Sequence, residues 1–577
     1  MSSPRFLPYL SALALVLLTV AGRTSPLQHK VLAAATPLSS VDEGLGGKRA
    51  TAPVTPLPAL ERRPWDTSRA KKVDLSDFRP RAPIPKALDL LAFGRPELFR
   101  MLQRGLDRED PALALAAARA LLLDEELPAD GVFRARLGLG KAWLLLGQAR
   151  TCEAYAQQLI QQQPRSPKAW ALFIRAGLRS GDFSGALLRS REAVRKLGLS
   201  DLDLRSAHAS ALFRNGDLRA ALDHYKAILA KDPKNIEALI RLGTGLLPHA
   251  EAAPSPELDR SLGFLQHKDY EGALDQVLSL LERQPMHPVA LRMAGELQLA
   301  WNREKSPLVA EGALGDLWTL LGHRGHLVLD LTSFYPDLLS LDGPRRQVLT
   351  LSSIPFQRGL ARVALHGGSH DILMEKERTT DARSRRWLKG KRTFDGRSWD
   401  DVRGIGGLSA ATGIEALDEA HGGGFQTLVH ELAHQVHHFS LRPEQKNEIR
   451  ELYQAADRGD LFLDYYAASN EAEYFAQGVE AYFSYLKSAG QPLTHGHTHF
   501  ELLRRDPRLA AFIARIVEWD PLAGPERQAV LARSFRAALR VGRVEDAATI
   551  LDLVPGQGSH RELREEVQKA RNRYRTL

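Results

Sequence analysis

The spacing of hydrophobic positions divides this chain into stretches of different character. Arg5 precedes an apolar run from Leu7 to Ala21, broken only by Pro8, Ser11 and Thr19 and stopped at Gly22-Arg23. A positive start, a short apolar core and the small residues Val20-Ala21-Gly22 predict a secretory signal peptide over 1–22, which anchors the chain if it is not cleaved. From 23 to 90 no period survives. Nine prolines lie between Pro26 and Pro85, and proline fixes φ and removes a backbone donor, so an extended linker is expected. From 91 to 305 apolar residues recur at helical spacing in an Ala-, Leu- and Arg-rich background. Near 310 the rhythm changes again. His326–Leu331, Arg346–Leu351 and Leu360–Leu365 are short apolar runs that predict strands, with helices after them, so 306–520 is expected to be α+β. The charged stretch from Arg527 to Arg575 predicts a C-terminal helical hairpin over 521–577, turning at Gly542. No stretch after the first approaches the ~20 apolar residues of a membrane helix.

The 91–305 stretch repeats itself. Gly147, Gly181 and Gly216 are 34 and 35 residues apart, and Pro164 and Pro233 follow the first and third of them by 17. His267–Leu274 aligns with the same pattern, Lys268 taking the glycine position and Pro285 following. A tight turn at Gly, small Ala residues where helices touch and Pro at the end of the second helix resemble tetratricopeptide repeats, whose period is about 34. Gly198 replaces an expected Pro, and an insertion is expected near 248–262, leaving about four helix pairs. Such an array offers a concave surface to a protein partner or peptide, and it equally suits a structural spacer. The predicted fold class is therefore mainly α, an α-solenoid followed by an α+β domain.

Composition narrows the chemistry. The 577 residues include one Cys and 19 His, which excludes a disulfide framework and a Cys-rich zinc site and leaves His, Asp and Glu to build any metal site. Hydrophobic residues at 44% and charged residues at 25% are ordinary globular usage, so most of the chain should fold. The net charge of +9 is interleaved almost everywhere. The dense basic stretch Arg383–Arg397 reads as a solvated loop, and no nucleic-acid partner is expected.

Candidate chemistry centres on His430-Glu431-Leu432-Ala433-His434, an HExxH motif. Four residues span about one helical turn, so both imidazoles leave the same face and suit Zn²⁺, with Glu431 beside them as a base for a metal-activated water. Phe425, Leu428, Val429, Leu432, Ala433, Val436 and Phe439 fill one arc of that helix, and His430, His434 and His438 the other. A third protein ligand is needed. The metzincin pattern fails, because 437 and 440 are His and Ser rather than Gly and His. A later helix opening at Asn470 after a Ser469/Asn470 N-cap carries Glu473, Gln477 and Glu480 along one side, and periodicity leaves Glu473 and Glu480 equally eligible. His495-Gly-His497-Thr-His499 reads as an exposed polar turn. The glycines of Arg403–Gly407 suit close approach of a substrate strand.

Asp400–Gly407, His430–His434, Tyr466 and Asn470–Ala476 together resemble the catalytic domain of the anthrax lethal factor-like metallopeptidases, which include the Pro-Pro endopeptidases. The resemblance covers roughly 310–515, and Asp506-Pro507 with Leu509, Phe512 and Ile513 resembles that family's closing helix. It implies a zincin-like domain, one Zn²⁺ per chain on His430, His434 and Glu473, Glu431 as general base, and Tyr466 as hydrogen-bond donor to the tetrahedral oxyanion. The expected function is then an exported, secreted or periplasmic zinc endopeptidase acting on a protein or peptide, with the repeats recruiting substrate or restraining activity. The competing expectation is a repeat-based binding or scaffold protein whose zinc site is structural or degenerate.

Overall fold

The computed structural model describes residues 75–246, 255–324, 331–375, 377–393, 399–400, 402–419, 423–491, 493–554 and 560–575. All belong to a compact unit running from Pro64 to Leu577, distinct from Met1–Arg63. The expected signal peptide, most of the expected linker and residues 326–330 of the first expected strand lie outside the described residues. Among those described, no helix is long and apolar enough to cross a membrane.

Antiparallel helical hairpins build the first part: Arg95–Asp107 with Pro111–Leu122, Ala129–Leu145 with Ala149–Gln162, Pro167–Ser180 with Phe183–Leu197, and Leu202–Arg214 with Leu218–Leu229. Their turns explain the repeat signal. Gly147, Gly181 and Gly216 have φ of 74°, 85° and 82°, the left-handed region that a side chain disfavours. Lys268 takes the same conformation at φ 57°, as its alignment predicts. The Asp after the turn then caps the second helix: Asp182, Asp217 and Asp269 accept from the backbone N–H of Gly185, Ala220 and Gly272. The hairpin at 95–122 escaped the sequence pattern because Glu109, not Gly, holds its left-handed turn (φ 51°).

Of the insertion expected near 248–262, residues 248–254 lie outside the described residues. Pro256–Gln266 is a helix and pairs with Tyr270–Arg283, while Ile236–Leu246 packs on Pro288–Glu304. That last contact is close, since a Cβ on Gly243 would lie 2.5 Å from the Arg292 backbone nitrogen.

The strands, the linker and the C-terminus first need correction. Arg346–Leu351 and Leu360–Leu365 are not strands but parts of the helices Gly343–Ser353 and Gln357–Leu365. The strands are instead β1 (Ser369–Leu373), β2 (Gly404–Ile405) and β3 (Ser409–Gly413), ordered β1-β3-β2. β1 and β3 are parallel, with Ser369 opposite Ser409, and β2 runs antiparallel to β3, with Gly404 opposite Thr412. Second, the end of the expected linker is docked: Phe78 is buried edge-on against Phe535 at 5.7 Å, and Arg540 donates to the Pro83 carbonyl. Third, the C-terminus holds three helices rather than two, Arg527–Val541, Val544–Leu553 and Arg561–Tyr574. They share one apolar core with the first hairpins, in which Leu115, Leu121 and Trp143 meet Phe535, Leu539 and Ile550. Gly542 does sit at the first turn between them, with φ 79°.

The basic stretch is not simply a solvated loop either. Arg385 is buried, pairs with Asp371 at 2.8 Å and donates to the carbonyls of Thr379, Ser409 and Ala410, tying β1 to β3. A second apolar core joins Leu428, Leu432 and Val436 to Phe475 and Val479, which sets two helices against each other beside the sheet.

Candidate metal centre

The HExxH motif lies on the helix Thr427–Phe439, and polar contacts fix that helix at both ends. At its start the Gln426 backbone N–H donates to Glu480 Oε1 at 2.9 Å, and Gln426 Nε2 reaches the Phe483 carbonyl. Buried Lys487 neutralises Glu480 at 2.6 Å and donates to the Gly424 carbonyl. An acid at a helix N-terminus also meets the positive end of the helix dipole. Further along, Gln435 donates to the carbonyls of Ser369 and Leu408 and meets His370 Nδ1 at 2.9 Å, while His370 Nε2 meets Thr412 Oγ1. The motif helix is thereby keyed to β1 and β3. Lys487, Gln435 and His370 were not assigned these roles from sequence, because none belongs to a motif, and Glu480 was weighed there as a ligand or a partner that orients ligands. A polar residue at a buried register of an amphipathic helix, as Gln435 is, was the available signal.

Glu473 comes from the helix Glu471–Tyr482, where Asn470 accepts from the Glu473 backbone N–H at 3.0 Å. This N-cap is the expected one. Among the described residues, one group of metal-ligating side chains converges: His430, His434 and Glu473, with ligand atoms all within 4.8 Å of one another. His430 Nε2 is 3.1 Å from Glu473 Oε2, His434 Nε2 is 3.3 Å from the same oxygen, and the two Nε2 atoms are 3.2 Å apart.

Glu473 Oε2 can accept from both Nε2 atoms, but no proton then remains for the 3.2 Å contact between the two nitrogens. Each Nε2 carries at most one proton, yet each faces both the other nitrogen and the carboxylate. A tetrahedral zinc with ligands at about 2.0–2.2 Å holds neighbouring ligand atoms about 3.3–3.5 Å apart, which the three separations approach. The donor set therefore fits Zn²⁺. Burial would raise the Glu473 carboxyl, but His434 and His430 beside it outweigh this and hold it well below the usual carboxylate range. Burial would lower His430, and its hydrogen bond to Glu473 reverses that and raises it.

Glu431 is buried and faces β2, since a Cβ on Gly404 would lie 2.8 Å from Glu431 Oε1. A Cβ on Gly406 would lie 2.7 Å from the His434 Cβ. The glycines expected to admit a substrate strand thus first admit the motif helix itself. Tyr466 starts the short turn before Asn470, its ring 6.4 Å from that of His430. Glu480 is absent from the triangle. His438 is exposed, with its ring stacked 6.4 Å from His434.

The 495–499 segment is not an exposed turn. His497 is buried between Asp464 at 2.9 Å and Glu501 at 3.2 Å. His499 Nδ1 donates to the Tyr482 carbonyl at 2.7 Å, and His495 stacks on Phe425 at 4.5 Å.

Comparison with known proteins bears on the repeats. The tetratricopeptide repeat family matches residues 202–244. Among solved structures, the chain is similar to YrrB, described as a TPR protein with an unusual peptide-binding site, at 19% identity over 36% of this chain and 86% of that one, with a TM-score of 0.19. It is also similar to Naa15/Naa10 bound to HypK-THB, at 12% identity over 83% of this chain and 78% of that one, with a TM-score of 0.21. No curated protein matches. The chain is mainly helical and carries tetratricopeptide-type repeats.

Proposed function

We propose that this chain is an exported zinc-dependent endopeptidase with a zincin-like catalytic region, fronted by a tetratricopeptide-type array. The observation that carries the reading is the triangle of His430, His434 and Glu473, with Glu431 on the same helix turn. A structural zinc site has no need of that extra buried acid. Zinc held there would lower the pKa of a bound water to about 7 and polarise a scissile carbonyl. Glu431 would take the proton of the attacking water and pass it to the leaving amine. Tyr466 would donate to the oxygen that gains charge only in the transition state, where such a donor helps most. β2 is an edge strand among the described residues, so an extended peptide can add to it by main-chain hydrogen bonds. The Gly404 contact would then set that peptide beside Glu431.

A second reading is favoured by the family match at 202–244: a repeat-based binding or scaffold protein whose metal site is structural or degenerate. Glu431→Ala separates the two. On the peptidase reading the variant keeps about one zinc per chain and loses peptide hydrolysis by at least ~10³-fold. Equal cleavage by variant and wild type would remove the mechanism. Absence of cleavage by the wild type across a peptide library, with zinc bound, would leave the scaffold.

A further inference from the structure

The repeat array touches the metal region close to the centre. Tyr465, the neighbour of Tyr466, is 45% exposed, and its ring meets Phe183 edge-on at 5.5 Å and 82°. Phe183 opens the second helix of the third hairpin, just after the left-handed turn at Gly181, and a Cβ on Gly181 would itself lie 3.7 Å from the Tyr465 ring. The fourth hairpin braces this turn from behind. Asn215 Nδ2 donates to the Phe183 carbonyl at 2.9 Å, and the Arg214 guanidinium lies 5.6 Å from the Phe183 ring centre. Two further contacts hold the same edge of the array in place: Arg179 Nη1 donates to the Gly490 carbonyl at 2.8 Å, and the Gly490 N–H donates to the Leu145 carbonyl at 3.0 Å.

On its inner side the Tyr466 segment is tied to the Glu473 helix. Asp464 accepts from the Ala467 N–H at 2.7 Å and from Gln477 Nε2 at 3.0 Å, and Ser469 Oγ donates to the Tyr466 carbonyl at 2.6 Å. The segment therefore has one face fixed by its own region and one face fixed by a repeat turn. A half-buried aromatic pair adds little to the stability of so large a unit, but it acts directly on a backbone next to the Tyr466 phenol.

We propose that Phe183 is a positioning residue of the metal centre: by holding Tyr465 it sets Tyr466, so the repeat array is part of the site. The inference rests on the peptidase reading for its kinetic consequence, but not for the docking itself. It makes the array more than a recruiting arm, because the route from Asn215 and Arg214 through Phe183 to Tyr465 is continuous.

The test uses the full chain with zinc bound, as wild type, Phe183→Ala, Phe183→Tyr and Tyr465→Ala. Amide hydrogen exchange is read at 464–470 and at 427–439, together with zinc per chain and steady-state kinetics on a cleaved peptide. Phe183→Ala should speed exchange at 464–470 and leave 427–439 unchanged. It should lower kcat by roughly 10- to 100-fold, the range that small misplacement of a reacting group costs, with KM and zinc content retained. Phe183→Tyr should restore both readouts. Tyr465→Ala should reproduce the loss without touching the array, and the double variant should be no worse than either single one. Unchanged exchange at 464–470 in Phe183→Ala overturns the proposal, as does faster exchange with unchanged kcat. A wild type that binds zinc and cleaves nothing removes the peptidase reading alone, and the exchange result then decides the docking.

Discussion

Two histidine-rich stretches, 430–438 and 495–499, lead to opposite chemistry. In the first, a spacing of four on one helix turns two Nε2 atoms toward the same point, 3.2 Å apart, with a carboxylate closing the triangle. In the second, a spacing of two sends each ring to a different partner. His497 lies between two carboxylates, and His499 serves the Tyr482 carbonyl. A histidine ligates only through an unprotonated nitrogen. Burial alone would lower His497, but Asp464 and Glu501 on its two ring nitrogens raise it to about 9, so at neutral pH it holds both protons and has no lone pair to give. Density of histidine is thus a poor guide to a metal site, and convergence of several ring nitrogens and a carboxylate on one point is a better one.

The largest effect expected from this contrast is in metal content. His434→Ala should drop bound zinc from about one per chain to near zero after dialysis against a weak chelator, and hydrolysis should fall with it. His499→Ala should keep its zinc, because that ring is committed to a carbonyl. Metal analysis by mass spectrometry reads both. If His499→Ala lost zinc as fully as His434→Ala, the contrast between the stretches would fail.

What was legible in the sequence follows from the range of the interactions involved. The HExxH spacing and the repeat turns are local, so they can be read directly: Gly181 and Gly216 announce left-handed turns, and Asp182 and Asp217 announce the caps after them. Glu109 hides the same turn because a non-glycine residue bears the strain. Glu473 and Glu480 are seven residues apart, almost two helical turns, so a helical wheel superimposes them. Only the axial placement of one helix against the other distinguishes them, and that is set by the core of Leu432, Val436, Phe475 and Val479. Glu480 then falls at the start of the motif helix and Glu473 at its histidines.

The strand expectations fail for a related reason. Short apolar runs such as Arg346–Leu351 fit a buried helix as well as a strand. The real strands Ser-His-Asp-Ile-Leu and Ser-Ala-Ala-Thr-Gly have weak intrinsic β preference. Their pairing is supported by Gln435 and Arg385, which come from elsewhere in the chain, and by His370 of β1 reaching Thr412 of β3.

A smaller effect separates His497 from His430 and His434 by pH. Folded His497 titrates near 9, against an ordinary 6.5, so the folded state binds this proton more tightly than the unfolded one. The stability it contributes is fully present below about pH 6.5, declines between there and about 9, and is gone above, for a total of roughly 3 kcal/mol. Urea unfolding of wild type and His497→Gln at pH 6, 7.5 and 9.5 should show the gap between them narrowing by an amount of that order as pH rises. A gap independent of pH would mean that His497 is neutral in the fold and would return it to the pool of candidate ligands.

The smallest effect concerns His495, which is linked to His430 through Phe425. Its ring lies 4.5 Å from Phe425 at an interplanar angle of 20°, and Phe425 in turn lies 5.5 Å from the His430 ring. This is packing one layer removed from His430. The Lys487 ammonium, 5.6 Å from the centre of the Phe425 ring, remains after His495 is truncated. His495→Ala should therefore cost no more than the ~0.5–1.5 kcal/mol of an aromatic pair, leave zinc at one per chain and shift the urea midpoint only slightly. His495→Phe should recover most of that loss, because the contact is a face rather than a ring nitrogen. If the Phe variant stayed as destabilised as the Ala variant, or if zinc fell in both, His495 would be acting through its nitrogens, and the division between the two stretches would have to be redrawn at that residue.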